Sequence, residues 1–321
     1  MKTTPKTITR LVLPRLRGLS MTNFKGLASI VLVFALAPAL QAEAHCPGNI
    51  ASVPLHLVNS YQIVVPVSIN HSGPFDFLLD TGAQFTMIDP SLAAELHLEA
   101  SGSVPLAGNG FRTTSSIVEL NRLQVGPSAA ANLDALVFNV ENIRPHIAKL
   151  RGILGEDFLQ QYDLLIDNTH RFLCLDDSTV LQDALKGPHT PLQTASETER
   201  VPSNSLIFAV RLSQGTQTIR LKLDSGANAP VLYNASQFKL IDLINMGGNL
   251  RGSGANGVQM AYVALPPQDV KIGSVKLRDV PFFAPTKDIS NTSDFDGLLP
   301  LRLFERVFIC HTEQFAILEA R

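Results

Sequence analysis

The stretch Phe77-Leu78-Leu79-Asp80-Thr81-Gly82-Ala83 recurs 144 residues later as Leu221-Lys222-Leu223-Asp224-Ser225-Gly226-Ala227. Each copy is a hydrophobic run that ends in Asp-Thr/Ser-Gly-Ala. A single Asp-Thr-Gly says little, because Asp and Gly favour ordinary turns. Two copies, each with a partner element at a matched distance, say more. Gly152-Ile153-Leu154-Gly155 lies 72 residues after Asp80, and Gly297-Leu298-Leu299-Pro300 lies 73 after Asp224. The pattern implies a duplicated lobe that brings Asp80 and Asp224 together. Two carboxylates about 3 Å apart cannot both ionise freely, so such a pair shares one proton. The ionised member can take a proton from a bound water while the protonated member donates to a carbonyl oxygen. Peptide hydrolysis needs both acts and requires neither a metal ion nor a covalent intermediate. The titration then belongs to the pair rather than to either residue.

Other chemistries find little support. The chain has no Gly-x-Ser-x-Gly elbow, P-loop or Cys-x-x-Cys, and its His residues are scattered without His-Glu-x-x-His spacing, so neither a metal site nor a cofactor is expected. Gly252-Ser253-Gly254-Ala255-Asn256-Gly257 has the spacing of a dinucleotide-binding loop, which requires a helix after it. Here Val258 to Leu265 reads as a strand, so the segment is expected to be a hairpin tip. Gly108-Asn109-Gly110-Phe111 is its counterpart in the first half.

The elements that must carry these residues are strands. Tyr61 to Ile69 is rich in β-branched residues, His71 to Pro74 reads as a turn, and Phe75 to Leu79 forms the strand that delivers Asp80. Strand signals continue through 117–125, 133–140 and 162–175, and long helical periodicity is absent. A short helix is predicted after each Asp motif. Asp89 can cap one over Ser91 to His97, with Pro90 at its first position, and Asn234 can cap the other over Ala235 to Leu240. Residues 178–203 contain Pro188, Pro191 and Pro202 among polar residues and read as the connection between lobes at 50–177 and 204–321.

The double Asp-Thr/Ser-Gly, with an apolar-apolar-Gly type of element after each copy, resembles the aspartic proteases. Ala83 and Ala227 resemble the retropepsin branch, and residues 152–167 are similar to the closing segment of bacterial retropepsin-like proteins. The resemblance covers roughly 50–320. It implies an all-β, bilobal fold of two retropepsin-like β-barrel lobes with the cleft between them. It implies that Asp80 and Asp224 form the catalytic pair. Thr81, Gly82, Ala83, Ser225, Gly226 and Ala227 would support the active-site loops, with the Thr81 and Ser225 hydroxyls bracing one loop against the other. Gly108, Asn109, Gly110 and Phe111, with Gly252, Ser253 and Gly254, would lie in flaps over a peptide bound as an extended strand. Pro300 departs from the expected Gly, and Arg302 stands where the first lobe has Asp157. Proline removes a backbone donor, which puts the support beneath Asp224 in question. Lys222 alternates with Leu221 and Leu223 and is expected to face solvent.

Composition bounds the partners. The 321 residues carry a net charge of -2 with 45% hydrophobic and 17% charged residues, as in a globular protein long enough for two domains. The first 44 residues hold six Lys/Arg and only Glu43 as an acid, which leaves 20 bases against 27 acids, about -7, for the rest. A nucleic-acid partner is not expected. Lys25, the apolar run Leu27 to Leu40 and Ala42-Glu43-Ala44 read as an export signal over residues 1–44. Met21 opens a segment of better signal length than Met1. A retained membrane anchor is the competing reading. The mature protein is expected to begin near His45, to be periplasmic or secreted, and to act as a monomer. Cys46, Cys174 and Cys310 allow one disulfide and leave one thiol. Their pairing is open, and Cys174 and Cys310, in apolar runs, read better as buried small hydrophobes. Two rival readings stand beside the protease. One is an inactive exported binding or regulatory protein on a degenerate protease scaffold. The other is a homodimer of first lobes with the second lobe as an appendage.

Overall fold

The computed structural model describes residues 45–108, 111–193, 205–213, 217–233, 250–286 and 295–321. The export signal, flap residues Asn109 and Gly110, the helix expected after Asn234 and residues 194–203 of the connection lie outside the described residues.

The described chain is nearly all β and forms three sheets. Residues 56–154 build an eight-stranded sheet and residues 207–300 a nine-stranded one. The two repeat one arrangement around their aspartates. In the first, strand Ser72–Leu79 runs parallel to Leu150–Leu154, which also pairs antiparallel with the short strand Met87–Ile88. In the second, Thr218–Asp224 runs parallel to Gly297–Pro300, which pairs antiparallel with Val231–Leu232. The apolar element after each Asp motif is therefore the strand beside the one that delivers the aspartate. A hairpin precedes each aspartate: Gln62–Ile69 with Ser72–Leu79, and Ile207–Leu212 with Thr218–Asp224.

Local chemistry sets the boundaries. The first hairpin turns at Asn70 and His71, both at positive φ (49° and 67°), a region Asn and His tolerate better than most residues. The turn thus falls ahead of the expected His71 to Pro74, and the strand takes up Ser72 to Pro74. Asp89 caps the helix Pro90–Glu95, its side chain accepting from the Ser91 N–H, with Pro at the start where a missing N–H costs nothing. That helix ends two residues before the expected His97.

The third sheet joins the two halves. Its order is Val53–Pro54, Phe172–Asp176, Asp163–Asp167, Phe304–Cys310, Phe315–Ala320 and Thr190–Pro191. Two hairpins, one from each half, meet where Leu164 pairs with Ile309 and Ile166 with Val307. All five residues of Asp163–Asp167 and of Phe172–Asp176 are buried, because both faces of this sheet are covered. Leu164, Ile166, Leu173 and Leu175 face the main core, while Leu165, Phe172 and Cys174 face a second cluster with Phe308 and Phe315. Cys174 is not a free buried thiol as the sequence suggested. It is bonded to Cys46, with Cα atoms 5.8 Å apart, and Cys310 remains free and buried. Part of the stretch read as a connection is also built in: Val180–Ala184 is helical and Thr190–Pro191 edges the shared sheet.

Candidate active site

Asp80 and Asp224 leave the ends of their two strands and meet at the junction of the lobes, each carboxyl lying against the glycine of the other motif. Close approach depends on the glycines. A Cβ on Gly82 would lie 2.6 Å from Asp224 Cγ, and one on Gly226 would lie 2.8 Å from Asp80 Cγ. Each motif's glycine thus makes room for the other motif's aspartate.

Four hydrogen bonds lock the two loops, and all are buried. The Thr81 N–H donates to Ser225 Oγ (2.9 Å) and the Ser225 N–H to Thr81 Oγ1 (3.1 Å). The Thr81 hydroxyl then donates to the Leu223 carbonyl (3.1 Å) and the Ser225 hydroxyl to the Leu79 carbonyl (2.7 Å). Each hydroxyl both accepts and donates across the lobe boundary, so every polar atom of the brace is satisfied.

The two carboxyls are not equivalent. Asp80 Oδ1 accepts from the Gly82 N–H at 2.8 Å. Asp224 Oδ1 accepts from two, Gly226 and Ala227, each at 2.8 Å. Burial, then the charge of Asp224, pushes Asp80 up to about 7. Burial raises Asp224 as well, but Lys222, the Ala227 and Gly226 N–H groups and a hydrogen bond from Asp80 oppose the rise. Two N–H donors against one favour the charge on Asp224 and the shared proton on Asp80.

Lys222 corrects the sequence reading. It does point away from Leu221 and Leu223, but that face is covered by the first lobe rather than by water. Lys222 is 7% exposed, and its ammonium donates to the Gly82 carbonyl at 2.6 Å and sits 5.3 Å from the centre of the Phe295 ring. A lysine in a run whose first-lobe counterpart is the buried Leu78 was the available signal.

The support beneath each aspartate also differs. In the first lobe the Thr86 N–H and hydroxyl donate to the Asp157 carboxylate (2.8 and 2.7 Å), and the Gly155 N–H donates to Thr86 Oγ1. Pro300 has no N–H to give, yet the strand pairing continues through Asp224 and Pro300. Arg302 supplies the tie by donating Nε–H to the Asn228 carbonyl at 2.7 Å. Asp157 accepts from its loop and Arg302 donates to its own, so the polarity is reversed and the link survives. One further pair was missed in the sequence. Glu156, beside the first-lobe loop, is 1% exposed and lies 3.2 Å from Nε2 of His311, whose Nδ1–H donates to the Tyr162 carbonyl. Burial alone would lower His311, but Glu156 raises it, while burial raises Glu156.

The glycine-rich segments are hairpins, as expected. Ala100–Gly108 pairs with Phe111–Val125 up to Gly108 opposite Phe111, and Leu250–Ser253 pairs with Gln259–Ala264, with Gly254 in the turn beyond Ser253. The sequence after Gly257 is strand, which removes the dinucleotide-loop reading.

Residues 65–158 match the family model for aspartyl proteases. The matched stretch holds Asp80 and its loop, the first glycine-rich hairpin and the strand Leu150–Leu154. No curated protein matches the chain. Residues 65–158 are thus similar to a retropepsin-like aspartyl protease, in a nearly all-β chain whose second half repeats the strand arrangement of the first around Asp224, consistent with a bilobal aspartic-protease fold.

Proposed function

From an aspartyl-protease lobe whose aspartate meets a second one, we propose that this protein is an exported aspartic endopeptidase in which Asp80 and Asp224 together activate water. The observation that carries the reading is the dyad itself: two carboxyls brought together at the lobe junction, unequal in their N–H donors, on loops braced across the lobes. Asp224 takes a proton from a water lying between the carboxyls. The resulting hydroxide adds to the carbonyl carbon while Asp80 gives its proton to the carbonyl oxygen. Collapse of the tetrahedral intermediate breaks the C–N bond as one of its hydroxyls returns a proton to Asp80, and the proton held by Asp224 passes to the leaving nitrogen. The peptide lies as an extended strand in the cleft under the two hairpins, held through its backbone.

The Cys46–Cys174 bond supports export, because structural disulfides persist in oxidising compartments. Cleavage after Ala44 would leave the mature terminus beside a cysteine that the disulfide ties to the shared sheet.

Digestion of a peptide library across pH tests the activity. Hydrolysis is expected with kcat/KM falling as pH rises through about 7, where Asp80 loses its proton. Absence of hydrolysis at every pH by folded protein would favour the inactive binding scaffold.

A further inference from the structure

A buried ammonium is costly unless something uses its charge. The Lys222 ammonium hydrogen-bonds to a neutral carbonyl and faces an aromatic ring. Among the described residues no carboxylate stands within ion-pairing distance of it. Its polar partner is nonetheless tied to the chemistry, since Gly82, whose carbonyl it holds, donates its own N–H to Asp80. The first lobe has nothing comparable, because Leu78 occupies the matching place in an apolar cluster.

We propose that Lys222 is a positioning residue of the dyad, a fixed buried cation that holds the pair in its singly ionised form down to acid pH and fastens the Gly82 loop to the second lobe. The proposal rests on the protease reading above. The acids that feel this cation are Asp80, Asp224 and Glu156. Other charged groups nearby are engaged elsewhere. Glu156 is paired with His311, Asp157 with Thr86, and Asp296 accepts from the Arg220 N–H at 2.7 Å. Glu156 thus has an imidazole partner in His311, whereas among the described residues the dyad carboxyls are met by neutral backbone N–H donors. A cation beside a carboxylate pair favours ionisation at both steps, so its removal moves both limbs of the pH profile to higher pH.

Lys222→Gln and Lys222→Arg separate the two roles. Gln keeps a donor for the Gly82 carbonyl and removes the charge, whereas Arg keeps the charge. In Lys222→Gln both limbs of the kcat/KM profile should rise by about one pH unit or more, which makes the variant at least roughly tenfold slower than wild type on the acid side and faster on the alkaline side. Lys222→Arg should retain the wild-type limbs. Lys222→Leu, the residue type at the matching first-lobe position, serves as a second neutral variant and should shift as Gln does. A uniform loss at every pH in folded Gln and Leu variants, with limbs unmoved, would overturn the charge role. Wild type that hydrolyses nothing, or a fully active Asp80→Asn control, would instead overturn the protease reading.

Discussion

Asp80 and Asp224 have the same side chain and are built to hold different charges. Asp224 has two backbone donors and Asp80 has one. This asymmetry has a consequence for stability. Asp80 lies near 7 in the folded protein against an ordinary value of 3.8, so the native state binds more protons than the unfolded state between those values. Stability therefore falls as pH rises through that window and stays low above it. Asp80→Asn removes the group, so the melting temperature of the variant should exceed that of wild type by a margin that grows from pH 4 to pH 8. Thermal unfolding at several pH values checks this, and a margin independent of pH would contradict the assignment. The asymmetry was not legible in the sequence, where both aspartates precede Thr/Ser-Gly-Ala. It arises from Lys222 and from the number of N–H groups each loop aims at its carboxylate.

At the scale of elements, the duplicated strands were legible because hydrophobic runs, turn residues and caps all pointed the same way. Asp89 with Pro90 specified a helix start, and the glycine-rich segments specified hairpins. Lys222 was misread because alternation gives the side of a strand a residue occupies, not what covers that side. Cys174 was misread for a related reason: its partner Cys46 is 128 residues away, and nothing local announces that distance. The disulfide fastens the start of the described chain to Phe172–Asp176, the second strand of the shared sheet. Replacing Cys46 and Cys174 by Ser should cost about 2–5 kcal/mol, measured by denaturant unfolding. Loss of only a few tenths would show that the packing of this sheet holds the terminus without it. Cys310 should behave oppositely. Burial pushes its thiol up to about 11, so it should resist a thiol reagent in the native state and react on unfolding.

Across the whole molecule, the shared sheet was the least legible feature. The sequence shows two similar halves, and it does not show that a hairpin of one half pairs with a hairpin of the other. That pairing, at Leu164 with Ile309 and Ile166 with Val307, fixes one half against the other below the cleft. The Thr81–Ser225 brace does so at the dyad, and the Glu156–His311 pair does so beside the first-lobe loop. The site is thus completed by both halves of one chain, which speaks against a homodimer of first lobes with the second lobe as an appendage.

The central claim is that Asp80 and Asp224 act as one unit. Turnover of a single cleavable peptide by wild type, Asp80→Asn, Asp224→Asn and the double variant, each checked for folding, tests it most directly. Each single variant should lose roughly a thousandfold or more, and the double variant should be little worse than either, because groups that share one step fail together. Substantial hydrolysis by folded Asp224→Asn, or losses that multiply in the double variant, would contradict the account.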